Sequence, residues 1–105
     1  MLIALSIVPI GGNSTSSDEL VEVLKIIDES GLAYQLTPSA TCVEGDWDEV
    51  MPLVRRCHER VMEMSAHVVT TIKIEDERGV ADKLNRNVAS LEEKLGRKLE
   101  RKRKS

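Results

Sequence analysis

Four polar residues lie in segments of the chain that otherwise resemble apolar strands, and their types suit binding of a small polar molecule. Ser6 interrupts the apolar run of residues 1–10. Thr37 closes a second short run, and Thr71 and Lys73 alternate with aliphatic residues in a third. Hydroxyls donate and accept hydrogen bonds, and the lysine ammonium is a compact cation that suits a phosphate or a carboxylate.

The residues that most often carry catalysis are poorly placed for it. Catalysis usually needs paired acid and base groups, or a nucleophile with an oriented base. Cys57 and His58 are adjacent on a predicted helix and therefore do not face each other, and His67 has no evident partner. Three or four converging metal ligands are not found at any suitable spacing. We therefore predict no catalytic residue, no metal ligand and no enzymatic activity.

Length and composition favour one soluble domain. The chain has 105 residues, of which 31% are charged, and no apolar run is long enough to span a membrane. The first ten residues lack the basic region and cleavage site of a signal peptide, so we expect a cytoplasmic protein. The two cysteines, Cys42 and Cys57, are expected to be free thiols in that reducing compartment.

The charge is unevenly distributed along the chain. Residues 97–105 hold six basic residues and one acidic residue, whereas residues 1–96 hold nine basic and seventeen acidic ones. A basic tail can bind nucleic acid, or it can be a solvated chain end. Because the tail has no aromatic residue, we favour the solvated end. We assign residues 1–96 to the domain and residues 97–105 to a basic tail.

Hydrophobic periodicity predicts a β-α-β-β-α-β order followed by a C-terminal helix. The predicted strands end at Pro9, Thr37, Glu44 and Glu75, and Asp46 with Glu49 forms a capping pattern before the second long helix. Pro52 lies inside that helix, where it costs a hydrogen bond. This order is that of the ferredoxin-like α+β sandwich, an antiparallel four-stranded sheet with two helices on one face.

The predicted sheet has one face that this chain cannot cover. Its helix-covered face is expected to carry large aliphatic residues, namely Ile3, Leu5, Ile7, Leu36, Ile72 and Ile74. The other face carries a mixed set: Leu2, Ala4, Ser6, Val8, Gln35, Thr37, Val69, Thr71 and Lys73. An exposed patch of this kind marks an interface, so we expect a homo-oligomer. A small ligand, water or subunit pairing would then satisfy the enclosed polar groups.

Three segments resemble the thiamine-binding-protein family, and the resemblance covers nearly all of residues 1–96. They are the runs SIVPIG at 6–11, TCVEGDWDEVM at 41–51 and TTIKIEDER at 70–78, with His58 between the last two. The resemblance implies a ferredoxin-like fold, a homotetramer built from dimers, and binding of thiamine or its pyrimidine moiety without catalysis. The chain departs from the family at Ser39-Ala40-Thr41, where glycine more often precedes the threonine.

The resemblance implies that the candidate residues bind thiamine. Thiamine joins a cationic thiazolium to an aminopyrimidine. Ser6, Thr41 and Thr71 could bond the ring nitrogens, and Glu44 could accept from the amino group or balance the cation. Trp47 could stack on the ligand, or anchor a helix start on the core. Lys73 suits a phosphate or a salt bridge to Glu44. The candidate set is Ser6, Val8, Thr37, Thr41, Glu44, Trp47, Thr71 and Lys73.

Two functions remain open from the sequence. The first is a non-catalytic small-molecule binder that needs no cofactor other than this ligand. The second is a structural or regulatory oligomeric protein whose uncovered sheet face serves assembly alone.

Overall fold

The computed structural model describes residues 1–11 and 17–96. It contains four strands and three helices: β1 (Leu2–Pro9), α1 (Ser17–Glu29), β2 (Ala33–Leu36), β3 (Thr41–Glu44), α2 (Trp47–Met64), β4 (Val68–Glu75) and α3 (Lys83–Leu95). The strands form one antiparallel sheet in the order β2-β3-β1-β4. The ferredoxin-like prediction is therefore confirmed. The basic tail at 97–105 lies outside the described residues.

The core forms where α1 and α2 pack on one face of the sheet. Ile3 is the centre of this face, because it pairs with Val43 of β3 on one side and with Ile74 of β4 on the other. Ile3 and Val43 are fully buried. The helices contribute a set of aliphatic residues and one thiol: Val23, Ile27, Val50, Leu53, Val54, Cys57 and Val61.

Two residues predicted for the helix-covered face are far less buried than expected. Leu36 is 52% exposed and Ile74 is 42% exposed, although both lie on the same side of the sheet as Ile3. Leu36 belongs to the edge strand β2, and Ile74 lies near the end of the edge strand β4. The residue alternation was right, but two helices do not cover the full width of a four-stranded sheet.

The start of α2 confirms the predicted cap. The Asp46 carboxylate accepts from the Glu49 backbone N–H at 3.0 Å, and Glu49 Oε1 accepts from the Asp46 N–H at 3.1 Å. This reciprocal capping box satisfies two backbone donors that a helix start otherwise leaves free. Pro52 lies inside α2, as the sequence indicated.

Helix α3 starts on the uncovered side of the sheet. Glu44 and Glu75 both pair with Leu2 and therefore share its face, and both bond to the first turns of α3. The helix then contacts β3 and β2. Its apolar residues Val88, Leu91 and Leu95 stay largely exposed.

Replacing Ile27 by alanine tests this core. Ile27 belongs to α1 and is fully buried in the core, so we expect Ile27→Ala to lower the free energy of unfolding by about 2–5 kcal/mol. Val21→Ala is the matched control, because Val21 lies on the same helix and is 49% exposed. Urea denaturation, monitored by circular dichroism, measures the free energy of unfolding of both variants. Equal losses in the two variants would contradict the assigned core.

Candidate functional site

A cavity lies where β1 extends beyond β3. Strand β3 pairs with β1 only from Leu2 to Leu5, whereas β4 pairs with β1 along its whole length. The second half of β1 therefore faces the β2–β3 turn across a gap. This gap forms a cavity of about 240 Å³, lined by residues 5–8 of β1, Leu20 and Val23 of α1, and residues 36–41.

The β2–β3 turn forms a hydrogen-bonded wall of the cavity. Thr37 Oγ1 donates to the Ala40 carbonyl at 2.7 Å and accepts from the Ala40 N–H at 3.1 Å. The backbone N–H of Thr37 also donates to the Ala40 carbonyl, at 2.9 Å. Because the Thr37 hydroxyl has given its only proton to Ala40, it can still accept a hydrogen bond but cannot donate one to a ligand.

Ser6 and Thr41 supply the free hydroxyls of the cavity. Neither hydroxyl bonds to another residue within the described part of the chain. Thr41 is only 3% exposed and lies on the helix-covered side of the sheet, whereas Ser6 lies on the uncovered side. The two groups therefore approach the gap from opposite faces. Val8 adds an apolar contact and is 45% exposed.

No charged side chain lines the cavity among residues 1–11 and 17–96. An unpaired charge is costly to bury, whereas a neutral ring with donors and acceptors can be satisfied by hydroxyls and backbone groups. The cavity thus suits a small, neutral, polar ring.

Thr71 and Lys73 lie beside the cavity on the uncovered face. Thr71 pairs directly with Ser6 across β1 and β4, and Lys73 pairs with Ala4. Both side chains are exposed. Over the part of the chain that the structure describes, Lys73 forms no ion pair within 4.0 Å, so the salt bridge to Glu44 considered from the sequence is not formed.

Glu44 is occupied by α3. Its two carboxylate oxygens accept from the backbone N–H groups of Lys83 at 2.6 Å and Leu84 at 3.2 Å. These are among the donors that a helix start leaves unsatisfied, and Asp82 makes no side-chain cap of its own. Glu44 pairs with Leu2, four residues from Ser6, a separation of about 13 Å along the strand. The structure does not bring Glu44 to the cavity.

Lys83 forms a charged cluster that the sequence analysis missed. Its ammonium lies 3.0 Å from Glu75 Oε1 and 2.7 Å from Glu77 Oε1, and the residue is only 7% exposed. The hydrogen bond to Glu77 is the main cause that raises the pKa of Lys83. The hydrogen bond from Lys83 is the main cause that lowers the pKa of Glu75. Only the fold brings Lys83 against both carboxylates.

Trp47 also lies apart from the cavity. It is the first residue of α2 and is 52% exposed, so it does not anchor the helix on the core. Its neighbours form a separate surface hollow that includes Met51, Pro52 and Arg55.

The two residues most suited to acid–base or thiol chemistry have structural contacts. His58 Nδ1 lies 2.6 Å from Thr70 Oγ1, which joins α2 to β4. Burial raises the pKa of the Cys57 thiol to about 11, so little thiolate, the reactive form, exists at neutral pH.

In residues 1–11 and 17–96, no three His, Cys, Asp or Glu side chains are grouped to hold a metal ion. None of the helices there is long and apolar enough to cross a membrane.

The fold and the cavity define a small ferredoxin-like domain with a hydroxyl-lined pocket beside an uncovered sheet face. Residues 3–92 match the family described as thiamine-binding protein. This match covers most of the chain, which therefore belongs to the thiamine-binding protein family. The resemblance stated from the sequence is confirmed, and the family is named for binding rather than for a catalytic activity.

Individual relatives agree with this assignment. A UPF0045 protein of Mycobacterium bovis is 34% identical over 96 residues, which is 90% of this chain and 94% of the relative. The UPF0045 protein YqgV of Bacillus subtilis is 31% identical over 97 residues, 87% of this chain and 93% of the relative.

Solved structures support the fold. The protein MJ1052 of Methanocaldococcus jannaschii superposes with a TM-score of 0.81 at 22% identity, over 88% of this chain and 95% of that one. A Thermotoga maritima protein assigned provisionally to thiamine biosynthesis or salvage superposes with a TM-score of 0.74 at 20% identity, over 86% of this chain and 96% of that one.

Replacing Glu44 by alanine tests its role as a cap. We expect Glu44→Ala to weaken α3 by about 1 kcal/mol, the usual cost of a lost helix cap. Amide hydrogen exchange should accelerate at Lys83 and Leu84, whose N–H groups lose their acceptor. Glu29→Ala is the control, because Glu29 is exposed at the end of α1. Unchanged exchange in α3 would show that Glu44 does not cap it.

The Lys83 cluster predicts how stability depends on pH. Glu75 stabilises the fold above its ordinary pKa of 4.5, and this contribution is lost as pH falls through its lowered pKa. Lys83 stabilises the fold below its ordinary pKa of 10.5, and this contribution is lost as pH rises through its raised pKa. Melting temperatures of the native protein and Lys83→Met should differ most between these values and converge outside them. Lys94→Met, on the exposed side of α3, should show no such pattern.

Proposed function

We propose that this protein is a non-catalytic binder of thiamine, and that the cavity beside β1 receives the aminopyrimidine ring. The observation that carries the proposal is the convergence of Ser6, Val8, Thr37 and Thr41 on one cavity. All four belong to the candidate set that the sequence predicts. Membership in the thiamine-binding protein family supports this ligand.

The chemistry of the cavity favours the pyrimidine end of the ligand. The aminopyrimidine is neutral and carries ring nitrogens and an amino group, which match the free hydroxyls of Ser6 and Thr41 and the accepting oxygen of Thr37. The thiazolium is a cation, and the cavity offers it no carboxylate. The thiazolium would point outward, toward the mouth of the cavity.

The size of the cavity supports a single ring. At about 240 Å³ it is smaller than the roughly 300–1,000 Å³ of clefts that enclose a drug-sized ligand. A second subunit over the uncovered face would enclose the remainder of the ligand. We therefore include a homotetramer built from dimers in the proposal, with Thr71 and Lys73 at the subunit boundary. A cytoplasmic location completes the proposal and agrees with the two free cysteines.

The alternative is an oligomeric interaction protein that has no small-molecule ligand. One observation favours it, namely the exposure of Val8 (45%) and Val69 (46%) side by side on the uncovered face. Apolar residues in this position suit assembly without any ligand. A cavity filled by side chains of a neighbouring subunit would support this function.

Calorimetric titration separates the two functions. We expect thiamine and the isolated aminopyrimidine to bind, and the isolated thiazolium to give no heat. Thr41→Val keeps the shape of the side chain and removes one hydrogen bond, so affinity should fall about fivefold to tenfold. Ser6→Leu should block the mouth of the cavity and abolish binding while leaving assembly intact. Ser90→Leu on the exposed face of α3 controls for the added leucine.

Two results would count against thiamine binding. The first is absence of both heat and a shift in melting temperature at high protein concentration, because bound ligand stabilises a folded protein. The second is a Ser6→Leu variant that disrupts the oligomer without changing ligand affinity.

A further inference from the structure

The carboxylate of Glu19 is buried without enough hydrogen-bond partners. Glu19 lies in the first turn of α1 and is only 6% exposed. Its Oε1 accepts from Ser65 Oγ at 3.4 Å, which is longer than a usual hydrogen bond between two oxygens. Within residues 1–11 and 17–96, Oε2 is shielded from solvent and has no hydrogen-bond partner. Because an unpaired carboxylate is costly to bury, this position needs a positive charge.

No basic side chain of the described ranges supplies that charge. Glu22, one turn further along α1, lies 3.7 Å from Arg60 of α2, whereas Glu19 forms no ion pair there. The last turn of α2, which Ser65 follows, contains no basic residue. Residues 12–16, which precede α1 in the sequence, contain none either. The protein thus provides a cation for Glu22 but not for Glu19.

The end of α2 makes the same position more negative. The carbonyls of residues 62–64 are the last of this helix, and they accept no backbone hydrogen bond in the part of the chain that the structure describes. Such carbonyls give a helix end a charge of about −0.5, and the start of α1 contributes about +0.5. With the Glu19 carboxylate, the net charge is about −1. One monovalent cation balances this charge, whereas a divalent cation exceeds it.

We propose that Glu19, Ser65 and the C-terminal carbonyls of α2 form a binding site for a monovalent alkali cation, Na⁺ or K⁺. Carboxylate, hydroxyl and carbonyl oxygens are the ligands that hard cations prefer. Ser65 Oγ donates its proton to Glu19, so its lone pairs remain free to coordinate the ion. The ion would join the start of α1 to the end of α2.

This site is separate from the cavity beside β1. Neither Glu19 nor Ser65 lines that cavity, so the proposal does not depend on thiamine. The cation has a structural role, because it holds α1 against α2 one turn away from the ion pair between Glu22 and Arg60. Its binding should therefore be measurable as a gain in stability of the folded protein.

Melting temperatures in different chloride salts test the site. The comparison uses KCl, NaCl and choline chloride at equal ionic strength, because choline screens surface charges equally well but is too bulky for a buried site. At a salt concentration about fivefold above Kd, KCl or NaCl should raise the melting temperature by about 4–8 °C over choline chloride. Sodium NMR linewidths should broaden in the presence of the native protein and narrow again when KCl competes for the site.

Two variants of α1 provide the matched comparison. Glu19→Gln keeps the shape of the side chain and removes its charge, so its melting temperatures in the three salts should coincide. Glu22→Gln makes the same change one turn away and should retain the difference between salts. If Glu19→Gln does not fold, the NMR competition with the native protein decides the question by itself.

Three results would count against the site. Equal melting temperatures of the native protein in all three salts, together with unchanged sodium linewidths, would overturn it. A difference between salts that survives in Glu19→Gln, or that is lost equally from both variants, would show that Glu19 does not bind the ion. Stabilisation by Ca²⁺ or Mg²⁺ alone would contradict the assignment of a monovalent cation.

Discussion

The unequal lengths of β1 and β3 are the constraint from which the candidate site follows. Strand β1 has eight residues and β3 has four, so only the first half of β1 is paired on both sides. Strand β3 ends early and leaves a space beside the second half of β1, which α1 and the β2–β3 turn enclose. The cavity is therefore a consequence of strand register rather than of any missing side chain. Thr37, through its three hydrogen bonds to Ala40, holds the turn that bounds the cavity.

A second organising contact lies at the opposite end of the same sheet. Glu44, at the end of β3, supplies the acceptors that the start of α3 lacks, and Lys83 joins that helix to the end of β4. Both contacts lie at the end of the sheet remote from the cavity. The protein thus uses the carboxylates at one end of its sheet for architecture and leaves hydroxyls free at the other. This division explains why Glu44 lies apart from the hydroxyl-bearing candidates Ser6, Thr37 and Thr41.

The uncovered face and the free edge of β4 are two aspects of one incomplete sheet. Two helices cover one face, while α3 begins on the other and reaches only β3 and β2. Val8, Val69 and Thr71 therefore remain exposed beside the cavity. In the proposed function, the ligand in that cavity lies beside the boundary with a neighbouring subunit.

The sequence alone determined the order of the elements, the sheet topology, the cap at Asp46 and the family, because these depend on local periodicity and on contiguous motifs. It also selected Ser6, Val8 and Thr37, through their alternation onto the uncovered face, and Thr41, through the resemblance to the thiamine-binding-protein family. Only the tertiary structure decided that Glu44 serves α3, that Lys83 is buried between carboxylates and that Trp47 is exposed. Those contacts join residues up to 40 positions apart, and no spacing within one element encodes them. Alternation assigns a residue to a face, but packing decides whether that face is covered.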